Sequence, residues 1–118
     1  MAGKRSRSQG QLEAQVLDAL WNADAEVTSQ QLMDALGEGI ALTSLLTVLS
    51  RLTDKDLVAR RSGEGRSLLF KAAVSREQYA ADQLLKIIGS TENPALAFAH
   101  FAKGLDKKAL QALRDSLG

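Results

Sequence analysis

Near residue 57 the apolar spacing of this chain changes from helical to extended, and few small folds accommodate such a change at that place. Upstream, Leu45, Val48, Leu49 and Leu52 recur at intervals of three and four, the stripe of a helix with one buried face. Downstream, Leu57–Ser62 and Arg66–Lys71 alternate loosely on either side of Gly63-Glu64-Gly65, which predicts two short strands around a glycine turn. Two more helical stripes come earlier, the shorter of them Leu32, Met33 and Leu36. Leu12, Val16, Leu17, Leu20 and Trp21 define a first helix ending near Asp24, with Trp21 placed in the core and its N–H in need of one partner. Glu26-Val27-Thr28 reads as a brief strand. Ser29 has the chemistry of an N-cap for Gln30–Leu36, which Gly37 and Gly39 stop, and Thr43 or Ser44 caps the third helix. Helix, short strand, helix, helix, strand, wing, strand is the order of a winged helix-turn-helix.

The helical period returns after the hairpin. Ser75 and Gln78 form the S-x-x-Q capping pattern of a helix running through Ile88. After the Gly89–Pro94 linker, Pro94 suits the first position of the next helix, and Asp106 caps the last one. The expected fold is mostly α with a small β-hairpin. It divides into a basic arm (1–8), a winged helix-turn-helix DNA-binding domain (9–74) and a helical dimerisation segment (75–118). Tyr79, Leu84, Leu85, Ile88, Phe98, Phe101, Leu110 and Leu113 carry more apolar surface than so small a domain covers alone, which predicts a homodimer.

Composition narrows the function. The 118 residues, 45% hydrophobic, suit one soluble domain with a modest core. With no cysteine and one histidine, disulfides, thiolate metal sites and cysteine nucleophiles are excluded, and no cofactor or metal is expected. His100 has no acid or serine beside it in sequence, so it is read as lying at a helix contact, and no enzyme activity is expected. No apolar run approaches the roughly 18 residues of a membrane helix. The start Met1–Arg7 leads into Gln9-Gly10-Gln11, not an apolar signal core, and a cytoplasmic location without membrane insertion is expected. Aromatic content of 4% disfavours stacking on single strands.

Net charge is only +1, so any basic surface is local. Between residues 40 and 71, Arg51, Lys55, Arg60, Arg61, Arg66 and Lys71 stand against Asp54, Asp56 and Glu64, a net of +3. Major-groove reading needs short hydrogen-bonding groups for base edges and long cations for phosphates. Ser44, Thr47, Ser50, Arg51 and Lys55 supply them on the third helix. Arg60, Arg61 and Arg66 at the base of the hairpin are placed to meet phosphates or a minor groove, and Lys4, Arg5 and Arg7 form an arm able to follow the backbone at low salt. The competing class is a winged-helix adaptor that binds protein without sequence-specific DNA recognition.

Several segments resemble the penicillinase-repressor family, which includes β-lactamase repressors, methicillin-resistance regulators and copper-transport repressors. They are Gly10–Leu17 with Leu20-Trp21, Thr43–Leu52, Lys55-Asp56-Leu57-Val58, the wing Gly63-Glu64-Gly65-Arg66, and Ser75–Tyr79. The resemblance implies a homodimeric repressor of a palindromic double-stranded DNA operator. The third helix would lie in the groove, with Ser44, Thr47 and Arg51 as contacts and Lys55 beside them. It also implies control of β-lactam or cell-envelope stress genes, and release by a proteolytic sensor pathway acting in the region of Pro94–Ala102. Without cysteine, copper sensing by thiolates is excluded. Two positions depart from the pattern. Leu46 stands where relatives often carry a polar or long residue, and it suits a thymine methyl. Asp56 replaces a glycine expected in a left-handed conformation.

Overall fold

The computed structural model describes residues 8–118 and has two compact units, Met1–Gln78 and Tyr79–Gly118. The arm residues Lys4, Arg5 and Arg7 lie outside the described residues. In the first unit α1 (Gln9–Asn22), α2 (Ser29–Leu36) and α3 (Leu42–Asp54) precede β1 (Val58–Ser62) and β2 (Leu68–Ala72). The helix α4 (Arg76–Gly89) begins there and continues into the second unit, which holds α5 (Pro94–Gly104) and α6 (Lys107–Leu117). These elements are those of a winged helix-turn-helix followed by a helical segment.

The core of the first unit is aliphatic. Leu12, Val16, Leu17 and Leu20 of α1 meet Leu32 of α2 and Leu45, Val48, Leu49 and Leu52 of α3, closed by Val58 and Phe70 from the hairpin. Every inward position expected for α3 is buried. No polar or charged side chain is buried among the described residues, so this core depends on shape and apolar area. Trp21 is only half-buried, a correction to its expected core position. The indole bridges the helix surface instead: its Nε1–H donates to the Val74 carbonyl at 2.9 Å, and the Arg76 guanidinium stacks 5.0 Å from its ring.

The helix starts differ from expectation by small steps with clear causes. Ser8, assigned to the arm, is the N-cap of α1, and Gln11 completes a capping box with it. Thr28, not Ser29, caps α2, because Thr28 has Gln31 at the third helical position to answer it. At α3 neither Thr43 nor Ser44 is the cap. The helix begins after Ala41, which supplies no side-chain bond, and both hydroxyl residues fall inside its first turn. Ser75, Asn93 and Asp106 each accept from a backbone N–H three residues on, as anticipated for Ser75 and Asp106.

The hairpin is antiparallel, with Val58 opposite Ala72, Arg60 opposite Phe70 and Ser62 opposite Leu68. The expected third strand contracts to a single bridge in which Val27 and Phe70 exchange both backbone bonds, at 3.0 and 2.7 Å. Asp56, with φ of 63°, turns the chain from α3 into β1 in the left-handed conformation that glycine adopts more cheaply.

Candidate nucleic-acid interface

At about 100° per residue, the direction opposite the buried stripe of α3 is occupied, to within about 30°, by Thr43, Thr47, Ser50 and Asp54. Ser44 and Arg51 flank that line on one side, Leu46 and Leu42 on the other, and all eight residues are exposed. Asp54 puts negative charge at the C-terminal end of this face, which leaves the first two turns as the part suited to a polyanion. Thr43 belongs to this face although sequence reasoning assigned it to capping. The signal was present in the four-residue step from Thr43 to Thr47.

Hydrogen bonding limits what Thr47 offers. Its hydroxyl donates to the Thr43 carbonyl at 2.9 Å, so its remaining capacity is as an acceptor, the complement of an adenine N6 or cytosine N4 amino group.

Two of the six cations counted in sequence are already engaged. Lys55 Nζ lies 3.2 Å from Glu13 of α1, and Arg61 grips both carboxylate oxygens of Glu26, with its Nε at 2.9 Å from each. The Arg61 hydrogen bond holds the Glu26 carboxyl below its ordinary range against a smaller opposing effect of burial, and Glu26 in turn raises Arg61. Arg51, Arg60 and Arg66 have no ion-pair partner among the described residues.

The strand register separates the two adjacent arginines. Arg60 lies opposite Phe70 and Arg61 opposite Leu69, so their side chains leave opposite faces of the hairpin. They do not act as one patch. Arg66 is not at the hairpin base as expected. It lies in the turn between the strands, beside Gly65 at φ 67°, and β2 begins only at Leu68. The wing therefore presents Arg60 on its stem and Arg66 at its tip, next to Glu64.

In the second unit no described residue of α4, α5 or α6 is buried. Of the eight expected dimerisation residues, Leu84, Leu85, Phe98, Phe101 and Leu113 are exposed, while Tyr79, Ile88 and Leu110 are half-buried. Ile87, Leu96 and Leu117, outside the expected dimerisation set, are exposed as well, Leu117 at 80%.

The family model for the penicillinase repressor matches residues 9–118. The transcriptional regulator BlaI of Mycobacterium tuberculosis is 28% identical over 113 residues, covering 92% of this chain and 81% of that protein. Among solved structures, apo wild-type MarR of E. coli aligns with a TM-score of 0.44 and 20% identity over 92% of this chain and 72% of that one. The ferric uptake regulator Fur of Helicobacter pylori aligns with a TM-score of 0.48 and 9% identity over 63% of this chain. The chain spans 64% of that regulator's length.

Proposed function

Because the chain belongs to the penicillinase repressor family and is a winged-helix transcriptional repressor, we propose that it works as a homodimer whose two α3 helices occupy the half-sites of a palindromic DNA operator. The observation that carries this reading is the division of α3. One side is wholly aliphatic and buried, and the other presents hydroxyls, two leucines and Arg51 to solvent. Ser44, Thr47, Ser50 and Leu46, with Thr43 added, face base edges in this reading. Arg51, Arg60 and Arg66 meet phosphates. Lys55 and Arg61 hold the elements that carry them.

Dimer formation rests on the second unit. Helices without one buried residue, carrying Leu85 at 61% and Ile87 at 63% exposure, leave an apolar surface that a second copy would cover. Two-fold pairing places the two recognition helices on one side of the duplex, so the operator is a pseudo-palindrome. Relief by proteolysis is the remaining part of the proposal. It rests on membership of the penicillinase repressor family. Cleavage there would divide the pairing segment, separating α6 from α4.

The test is selection of bound duplexes from a random library by the full chain, with light scattering on the same preparation. A palindrome bound by a dimer is the expected result. A monomer at micromolar concentration, or no enriched sequence, overturns the reading.

A further inference from the structure

The segment Leu42–Ser50 contains no charged residue and no side-chain amide. The two commonest base-reading devices, an arginine or lysine on guanine and an asparagine or glutamine on adenine, are therefore missing from the first two turns of α3. In their place stand hydroxyls and two exposed leucines, Leu42 at 46% and Leu46 at 44%. Exposed leucine on a helix face costs solubility, and these two sit one turn apart on the same flank. The only apolar group that a base pair presents in the major groove is the thymine C5-methyl.

We propose that Leu46, assisted by Leu42, reads thymine methyl groups in each half-site, so that the repressor selects its operator by apolar contact where other repressors use long polar side chains. This rests on the DNA-binding reading above and assigns the base class on which that reading depends. Geometry limits the spacing. A four-residue step along a helix rises about 6 Å, and bases on one strand are about 3.4 Å apart, so the two thymines lie within about two steps of each other. Thr47, confined to accepting, complements this by accepting a hydrogen bond from the amino group of a neighbouring adenine or cytosine. Surrounding charge favours a duplex over an apolar protein as the occupant. Arg51 follows the segment on α3, and β1, which packs against α3, carries Arg60.

The experiment uses the full chain and the duplex it selects, with each thymine replaced in turn by deoxyuridine, which deletes only the methyl group. Affinity is measured by fluorescence anisotropy at fixed salt. One or two positions per half-site should weaken binding about four-fold each, the value of one buried methyl-sized group. In Leu46→Ala at least one of those sensitivities should vanish, while the remaining uracil positions behave as in the parent. Leu46 is exposed and alanine favours helix, so this variant folds. Uracil without effect at every position overturns the proposal and leaves the repressor reading intact. Sensitivity that survives unchanged in both Leu46→Ala and Leu42→Ala overturns it too, by assigning the methyl contact elsewhere. If no duplex is selected at all, the DNA-binding reading fails first and the proposal falls with it.

Discussion

Salt dependence of operator binding should discriminate between arginines that are adjacent in sequence. Each cation that neutralises a phosphate releases condensed counterions, and the slope of log K against log salt is about −0.9 per contact. Counting all six basic residues between 40 and 71 in both protomers gives roughly twelve contacts and a slope near −11. The ion pairs with Glu13 and Glu26 change that number. A pair of zero net charge draws few counterions to release, and Lys71, opposite Ala59, leaves the same hairpin face as Arg61 and the opposite face from Arg60. Arg51, Arg60 and Arg66 remain, about six contacts per dimer, and the slope should be about −5. Affinity then falls roughly a thousand-fold between 50 and 200 mM salt. Arg60→Gln removes about two contacts per dimer and should bring the slope to about −3.5. The paired replacement Glu26→Gln with Arg61→Gln deletes a neutral couple and should leave the slope near −5. Anisotropy titrations of the selected operator at four salt concentrations would measure all three. If the paired replacement flattens the slope as much as Arg60→Gln, Arg61 leaves Glu26 for a phosphate in the complex, and the division of the cations argued above is wrong.

Asp56→Gly should raise stability by about 0.5 to 1 kcal/mol, because glycine enters the φ of 63° without a Cβ clash. A higher urea midpoint at unchanged m-value would report it, and a lower one would show that the Asp56 side chain holds the turn. Glu26 sets a pH response. Its pKa is depressed, chiefly by the Arg61 hydrogen bond, so its stabilising contribution is complete above its ordinary value of 4.5 and is lost as pH falls through the lower folded value. The difference in urea midpoint between the parent and Glu26→Gln should therefore be constant near neutrality and shrink below pH 4.5.

Periodicity made the fold legible, and local chemistry set its accuracy. Leu45, Val48, Leu49 and Leu52 were placed correctly because a three- and four-residue rhythm has one geometric meaning. Ser75 and Asp106 were placed correctly as caps, but the cap of α2 was misassigned by a residue: Ser29 and Thr28 are both good capping types, and only the position of Gln31 separates them. The Val27–Phe70 bridge was oversized into a strand because sequence does not show how far a pairing extends. What sequence could not show at all was the neutralisation of Lys55 by Glu13 and of Arg61 by Glu26. Those partners lie 42 and 35 residues apart, and only the fold brings them together. A charge count along the chain therefore overstated the basic surface.

The hairpin is fastened at one end. Phe70 is buried and bridged to Val27 at its root, while the turn from Gly63 to Ser67 extends beyond these anchors and carries no large buried side chain. Root and tip are thereby released to evolve at different rates. Changes at Glu64, Arg66 and Ser67 can be tried, kept or discarded with little penalty to folding, while Gly65 is held by its φ of 67°, Gly63 by the Leu69 side chain against it, and changes at Phe70 strike the whole unit. In the proposed mode of binding, a hairpin built this way lets three exposed side chains of the turn be exchanged while the helices stay as they were.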